Sequence, residues 1–269
     1  MTAPPEEVLE AFGATGPVLP AELGMGRTWI ARDVVLKRVE LEPEHVWICE
    51  VYDAWSDSDV DVARPLRAGE QWSFDGWGAQ ALLPGTTARA GDDPDWFRGV
   101  HNAFHEAVAG LARPAFLDGR DDVWTYGERV AWEGEAPEGA SETLALLARA
   151  LARLTPVEAV CQVVHGDLGG NVLRDGDRAA VIDWPPYWRP GDWALAVVAT
   201  DAVCWEDADP SLLDDWSTGE AWPQRLLRAA IYRLASRGRN EVRGNVPVGS
   251  NGYLAEKGRL LALIEKRLG

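Results

Sequence analysis

Apolar and polar positions alternate along this chain with a period that changes several times, and each change marks an element. Residues 5–13, opened by Pro5 and closed by Gly13, predict a short helix. Residues 23–29 and 32–39 predict strand, Gly-bearing turn, strand, tight turn and strand. An amphipathic pattern over 43–55, with Pro43 in its first turn, predicts a helix. The runs 61–67 and 71–85 return to strand character and complete an antiparallel sheet. From about residue 95 the period becomes helical: 95–111, a short segment ending near Trp132, and 142–154, where Leu144, Leu146, Leu147, Leu151 and Leu154 face a core. The run 184–193 carries Pro185, Pro186 and Pro190 and predicts irregular backbone. Helices are expected at 193–203, 222–237 and 252–268, the last two separated by a polar loop over 239–251.

The chemistry concentrates between these helices. Val163-Val164-His165-Gly166-Asp167-Leu168-Gly169-Gly170-Asn171-Val172-Leu173 reads as a buried strand, a tight polar loop and a second strand. A turn at Asp175-Gly176-Asp177 leads to Ala180-Val181-Ile182-Asp183-Trp184. Asp167, Asn171 and Asp183 thus emerge at the ends of apolar strands, where ionised groups stay in contact with solvent. That spacing suits phosphoryl transfer: one Asp accepts the proton of an attacking hydroxyl, while an Asn and a second Asp hold magnesium against nucleotide phosphates. Upstream, Gly24 and Gly26 sit in a predicted hairpin whose backbone amides could approach phosphates closely. His101 and His105 lie four apart on a predicted helix, but the order His-x-x-x-His-Glu is not that of a zinc helix, so helix packing is expected of them.

Bulk composition narrows the partners. The 269 residues suffice for two modest lobes, and 46% hydrophobic with 26% charged residues is ordinary globular composition. No apolar run approaches the ~20 residues needed to span a bilayer, and no membrane partner is expected. Cys49, Cys161 and Cys204 are few and scattered, which fits a reducing cytoplasm. A formal net charge of −17 argues against a nucleic-acid partner and suits a cationic small-molecule substrate, or simply solubility. The acids and tryptophans of 204–216 could enclose an amine or stack on a sugar face, although packing is expected of most of them.

The set His165-Gly166-Asp167, Asn171 and Ile182-Asp183-Trp184 resembles the catalytic core of the aminoglycoside phosphotransferase and choline kinase family, small-molecule relatives of protein kinases. One departure is visible: Asn171 follows Asp167 by four residues where the family has five, and Gly169-Gly170 can absorb the difference. The resemblance implies an α+β, bilobal protein-kinase-like fold. A small antiparallel-sheet N-lobe (1–85, with a hinge at its end) would bind nucleotide, and a larger, mainly helical C-lobe (86–269) would carry catalysis and substrate binding. It implies ATP and Mg2+ as cofactors, Asp167 as catalytic base, and Asn171 and Asp183 as metal ligands. It further implies that Lys37 reaches the α- and β-phosphates, held by Glu50 (or else Glu44). Ala81 and its neighbours before Leu82-Leu83-Pro84-Gly85 would lie against adenine, and Asp192 would bond the catalytic-loop backbone. The implied activity is phosphotransfer to an alcohol group of a small molecule such as an amine-bearing sugar or antibiotic. The competing reading is a nucleotide-binding regulator of the same fold that has lost useful catalysis.

Overall fold

The computed structural model describes residues 2–21, 27–56, 59–158, 160–249 and 251–268. The chain forms two compact units, 1–88 with 171–184, and 89–170 with 185–269.

In the first unit, helix α1 (Glu6–Ala11) packs Val8 onto a sheet built from β1 (Val18–Pro20), β2 (Thr28–Ala31), β3 (Val34–Arg38), β5 (Pro65–Leu66), β6 (Ser73–Phe74) and β7 (Trp77–Ala81). All its pairings are antiparallel, in the order β1-β2-β3-β7-β5 with β6 also on β7. Val8, Phe12, Ala31, Val34, Leu36, Trp77 and Ala79 form the core on one face, which is the period-2 burial that strand pleating dictates. Asp75 and Gly76, at φ of 48° and 71°, make the tight turn joining β6 to β7. Helix α2 (Glu42–Asp53) follows β3.

A second sheet has the order β4-β11-β10-β8, formed by β4 (Val60–Val62), β8 (Thr86–Thr87), β10 (Val172–Asp175) and β11 (Arg178–Val181). Residues 61 and 62 therefore leave the antiparallel sheet expected for them and pair in parallel with β11, with Val62 opposite Val181. Alternating burial along β4 (Val60 and Val62 in, Asp61 out) is satisfied equally by either sheet. Because β10 and β11 ladder onto β8 and β4, the segment 171–184 belongs to the first unit.

The second unit is mainly helical: α3 (Pro94–Val108), α4 (Val123–Trp132), α5 (Ser141–Leu151), α6 (Gly191–Trp205), α7 (Leu212–Asp215), α8 (Trp222–Val242) and α9 (Asn251–Glu265). Asp93 caps α3 by accepting from Trp96 N–H, and Asp122 caps α4 by accepting from Trp124 and Thr125 N–H at 2.8 Å. Helix α6 is buried on nearly every side, as its run of Ala, Val, Leu and Trp requires. Helix α8 runs to Val242, past the expected loop start at 239, because Arg237 pairs with Glu241 one turn on and Glu241 accepts from Thr143 Oγ1 and Ala140 N–H.

The proline-rich stretch is not irregular throughout. Pro186–Arg189 forms β12, antiparallel to β9 (Gln162–His165) with Pro186 opposite His165. Proline is tolerated there because it opens a strand of a two-stranded ribbon.

Candidate active site

In the first unit, the buried aliphatics Val34, Val35 and Leu36 carry the chain to Lys37 at the end of β3. Its Nζ donates to Ile182 O at 3.3 Å and pairs with Asp183 Oδ1 at 3.2 Å. Gln80 Nε2 donates to the same carbonyl at 3.1 Å. The β10–β11 hairpin turns at Gly176 (φ 62°) and Asp177, and its ladder is extended at the open end by Ile182 N–H donating to Asn171 O at 3.1 Å. Asn171 and Asp183 therefore stand at the same end of one hairpin, beside the lysine.

Asp183 is placed by the residue after it. Trp184 is buried and stacks on Tyr52 of α2, with centroids 5.6 Å apart at 16°, while Trp47 meets the same ring at 5.2 Å. Burial, with the Asp183 charge nearby, pushes the Tyr52 hydroxyl well above its ordinary range, so it stays protonated beside the carboxylate. Sequence reasoning missed this clamp. Its signal was available as the aromatics Trp47, Tyr52 and Trp55 on a single helix. The same helix carries Glu50, which is exposed and makes no ion pair with Lys37; the lysine's partner among the described residues is Asp183. Ala81 closes β7, and its N–H already donates to Arg64 O, as that of Leu82 does to Asp33 O. Gly24 and Gly26 lie outside the described residues.

In the second unit, β9 delivers His165, Gly166 and Asp167. His165 is fully buried, and its Nδ1 accepts from Asp167 N–H at 3.1 Å. Its own N–H donates to His105 Nε2 at 3.1 Å, which fixes the His105 proton on Nδ1, where it donates to His101 O at 2.7 Å. His101 stacks on His105 at 4.0 Å. The two helical histidines thus do pack, and one of them braces the strand that carries Asp167. Among the described residues no group of three or more His, Cys, Asp and Glu could hold a metal ion.

The Asp167 carboxylate is met by Arg233 of α8, which also binds Asp201 through Nε at 2.9 Å. Neither partner was anticipated. Asp192 was expected to bond the catalytic-loop backbone; its carboxylate accepts from Arg225 Nε at 2.8 Å, and the N-cap of α6 is Pro190.

Burial lowers the pKa of His105 to about 4 and carries that of His101 well below the ordinary range. Between pH 6.5 and 4 the unfolded chain therefore takes a proton at residue 105 that the folded chain refuses, so stability falls as pH falls through that window. The contribution is about 3 kcal/mol at full extent. Glu128, pushed up by burial to about 7, acts in the opposite direction, so the informative quantity is a difference. Denaturant unfolding at pH 7 and pH 5 should show a smaller acid loss in His105→Gln than in the parent; an equal or larger loss would refute this account.

No protein-family model matches the sequence, and no curated protein matches it. Solved structures do. A thermostable mutant of aminoglycoside phosphotransferase APH(4)-Ia, in ternary complex with AMP-PNP and hygromycin B, is similar at 15% identity and TM-score 0.60, over 97% of each chain. A choline/ethanolamine kinase family protein from Mesorhizobium loti is similar at 18% identity and TM-score 0.55, over 95% of this chain and 92% of that one. The gentamicin complex of APH(2'')-IIa gives 11% identity and TM-score 0.59 over 97% of each chain. At such identities the likeness establishes the fold, a mixed antiparallel-sheet and helical one of the protein-kinase-like type.

Proposed function

We propose that this chain, folded like those small-molecule kinases, transfers the γ-phosphoryl group of ATP to a hydroxyl of a small molecule with the help of magnesium. The observation that carries the reading is the approach of Lys37 to Asp183 beside Asn171, three residues that the sequence resemblance had singled out. Asn171 and Asp183 offer hard oxygen donors at one hairpin end, which suits an ion that takes one or two protein oxygens and completes its shell with water and phosphate oxygens. A bound magnesium ion would neutralise charge on the phosphates. Lys37 steadies the same phosphates. Asp167 orients the acceptor hydroxyl and takes its proton as the new O–P bond forms and the bond from phosphorus to the β–γ bridging oxygen breaks, releasing ADP. Positioning and charge neutralisation supply most of the rate. Among the described residues no helix is long and apolar enough to cross a membrane. The scattered cysteines keep the cytoplasm as the proposed location.

The test is magnesium-dependent ADP release across aminoglycosides, peptide antibiotics, amino sugars, choline and neutral sugars. Stimulation by at least one hydroxyl compound, abolished by chelation, is the expected result. Tight Mg-ATP binding without release under any acceptor would favour the regulator, and absence of nucleotide binding would overturn the reading altogether.

A further inference from the structure

The chain as a whole is strongly acidic, yet the surroundings of Asp167 in the second unit are not. Arg233 bridges Asp167 and Asp201, binding the latter through Nε at 2.9 Å and Nη2 at 2.5 Å. Lys257 is fully buried, with Nζ 3.6 Å from Asp201 Oδ1 and no hydrogen-bond partner for that nitrogen. Two carboxylates thus meet two cations, and the group is neutral in sum. A substrate ammonium brought to Asp167 would find the carboxylate already compensated and a guanidinium beside it. An anionic acceptor fares no better. Lys257 is sealed from solvent, and Arg233 is engaged by both acids.

Two indoles flank this group. Trp124, in the first turn of α4, is 40% exposed and has the Arg233 guanidinium 5.6 Å from its ring centroid. Trp205, at the end of α6, is 44% exposed, stacks on Tyr253 at 5.2 Å and lies 4.9 Å from Lys257 Nζ. Tyr253 in turn donates its hydroxyl proton to Arg233 O at 3.0 Å. Partly exposed indoles beside a neutral polar cluster suit a flat ligand with hydroxyl groups on its rim and an apolar C–H face.

We propose that the acceptor beside Asp167 is an uncharged polyhydroxyl, sugar-like compound that stacks on Trp124, and that Arg233 is the specificity-determining residue that disfavours amine-bearing acceptors. This rests on the phosphotransferase reading above and narrows its substrate class.

Matched pairs test it on the full chain: glucose against glucosamine, scyllo-inositol against 2-deoxystreptamine, and 3,3-dimethylbutanol against choline. ADP release and tryptophan-fluorescence titration are recorded for each. In at least one pair the neutral member should exceed its amine partner by tenfold or more, in kcat/KM or in affinity. In Arg233→Gln that ratio should fall at least tenfold, whereas Arg233→Lys keeps it. A preference for the amine in every pair, or a neutral preference below tenfold in every pair by both readouts, overturns the proposal. The two readouts also separate the failures: neutral preference in binding without ADP release refutes phosphotransfer and keeps the pocket, while ADP release with amines preferred refutes the pocket and keeps phosphotransfer.

Discussion

Asp167→Asn is expected to lower kcat on the order of a thousandfold, with ATP affinity held within about twofold. The carboxamide has the size of the carboxylate and its oxygen can still accept from Arg233, so the side chain keeps its place. It cannot accept the hydroxyl proton. Such a loss corresponds to ~4 kcal/mol of transition-state stabilisation. Arg233 retains Asp201 as its second partner, so no buried cation is stranded and the fold should persist. Single-turnover phosphorylation and an independent measurement of ATP binding separate the effects. A variant keeping more than a tenth of the parental rate would show that Asp167 is not the base.

Much of this arrangement was legible because it is locally encoded. Asp167, Asn171 and Asp183 lie at strand ends set by short apolar runs, and the Gly176 turn fixes the hairpin register. Lys37, which follows three aliphatics on β3, was legible through the resemblance. Contacts that span long stretches of sequence were not legible. Nothing near Asp167 announces Arg233, 66 residues on, because the pair is created by how α8 packs. The usable signal was indirect: α8 carries Arg225 and Arg228 among buried residues such as Leu226, Leu227 and Ala229, and Arg233 beside buried Tyr232 and Leu234, a pattern that requires buried partners for the charges. β4 went to the parallel pairing since its alternation fits either sheet. β12 escaped notice because Pro185, Pro186 and Pro190 mask a ribbon that needs only alternate N–H groups. For α2, Glu50 stays exposed and the helix uses its aromatic face to hold Trp184, a contact that no local pattern encodes.

Gly166→Ala should damage both stability and turnover, for a reason specific to this loop. A Cβ at residue 166 would lie 2.2 Å from Cδ2 and Cε2 of Tyr187, far inside contact distance. That ring cannot simply swing away. It is buried on β12, packs edge-on against Trp193 and Tyr232, and has the Arg120 guanidinium 4.8 Å from its centroid. The strain therefore falls on the chain at 165–167. There it opposes the hydrogen bonds from His165 N–H to His105 and from Asp167 N–H to His165 Nδ1. Overpacking of this kind costs roughly 1–3 kcal/mol, enough to lower the midpoint of thermal unfolding by several degrees. Displacing the Asp167 carboxylate by about 1 Å would reduce kcat roughly a hundredfold, even in molecules that remain folded. Kinetics well below the midpoint distinguish this from partial unfolding, and unchanged kcat with an unchanged midpoint would refute the packing argument. Tyr187→Leu introduced into the Gly166→Ala protein supplies the space the methyl group needs. It should recover part of the lost rate, a rescue that general loosening of the fold would not produce.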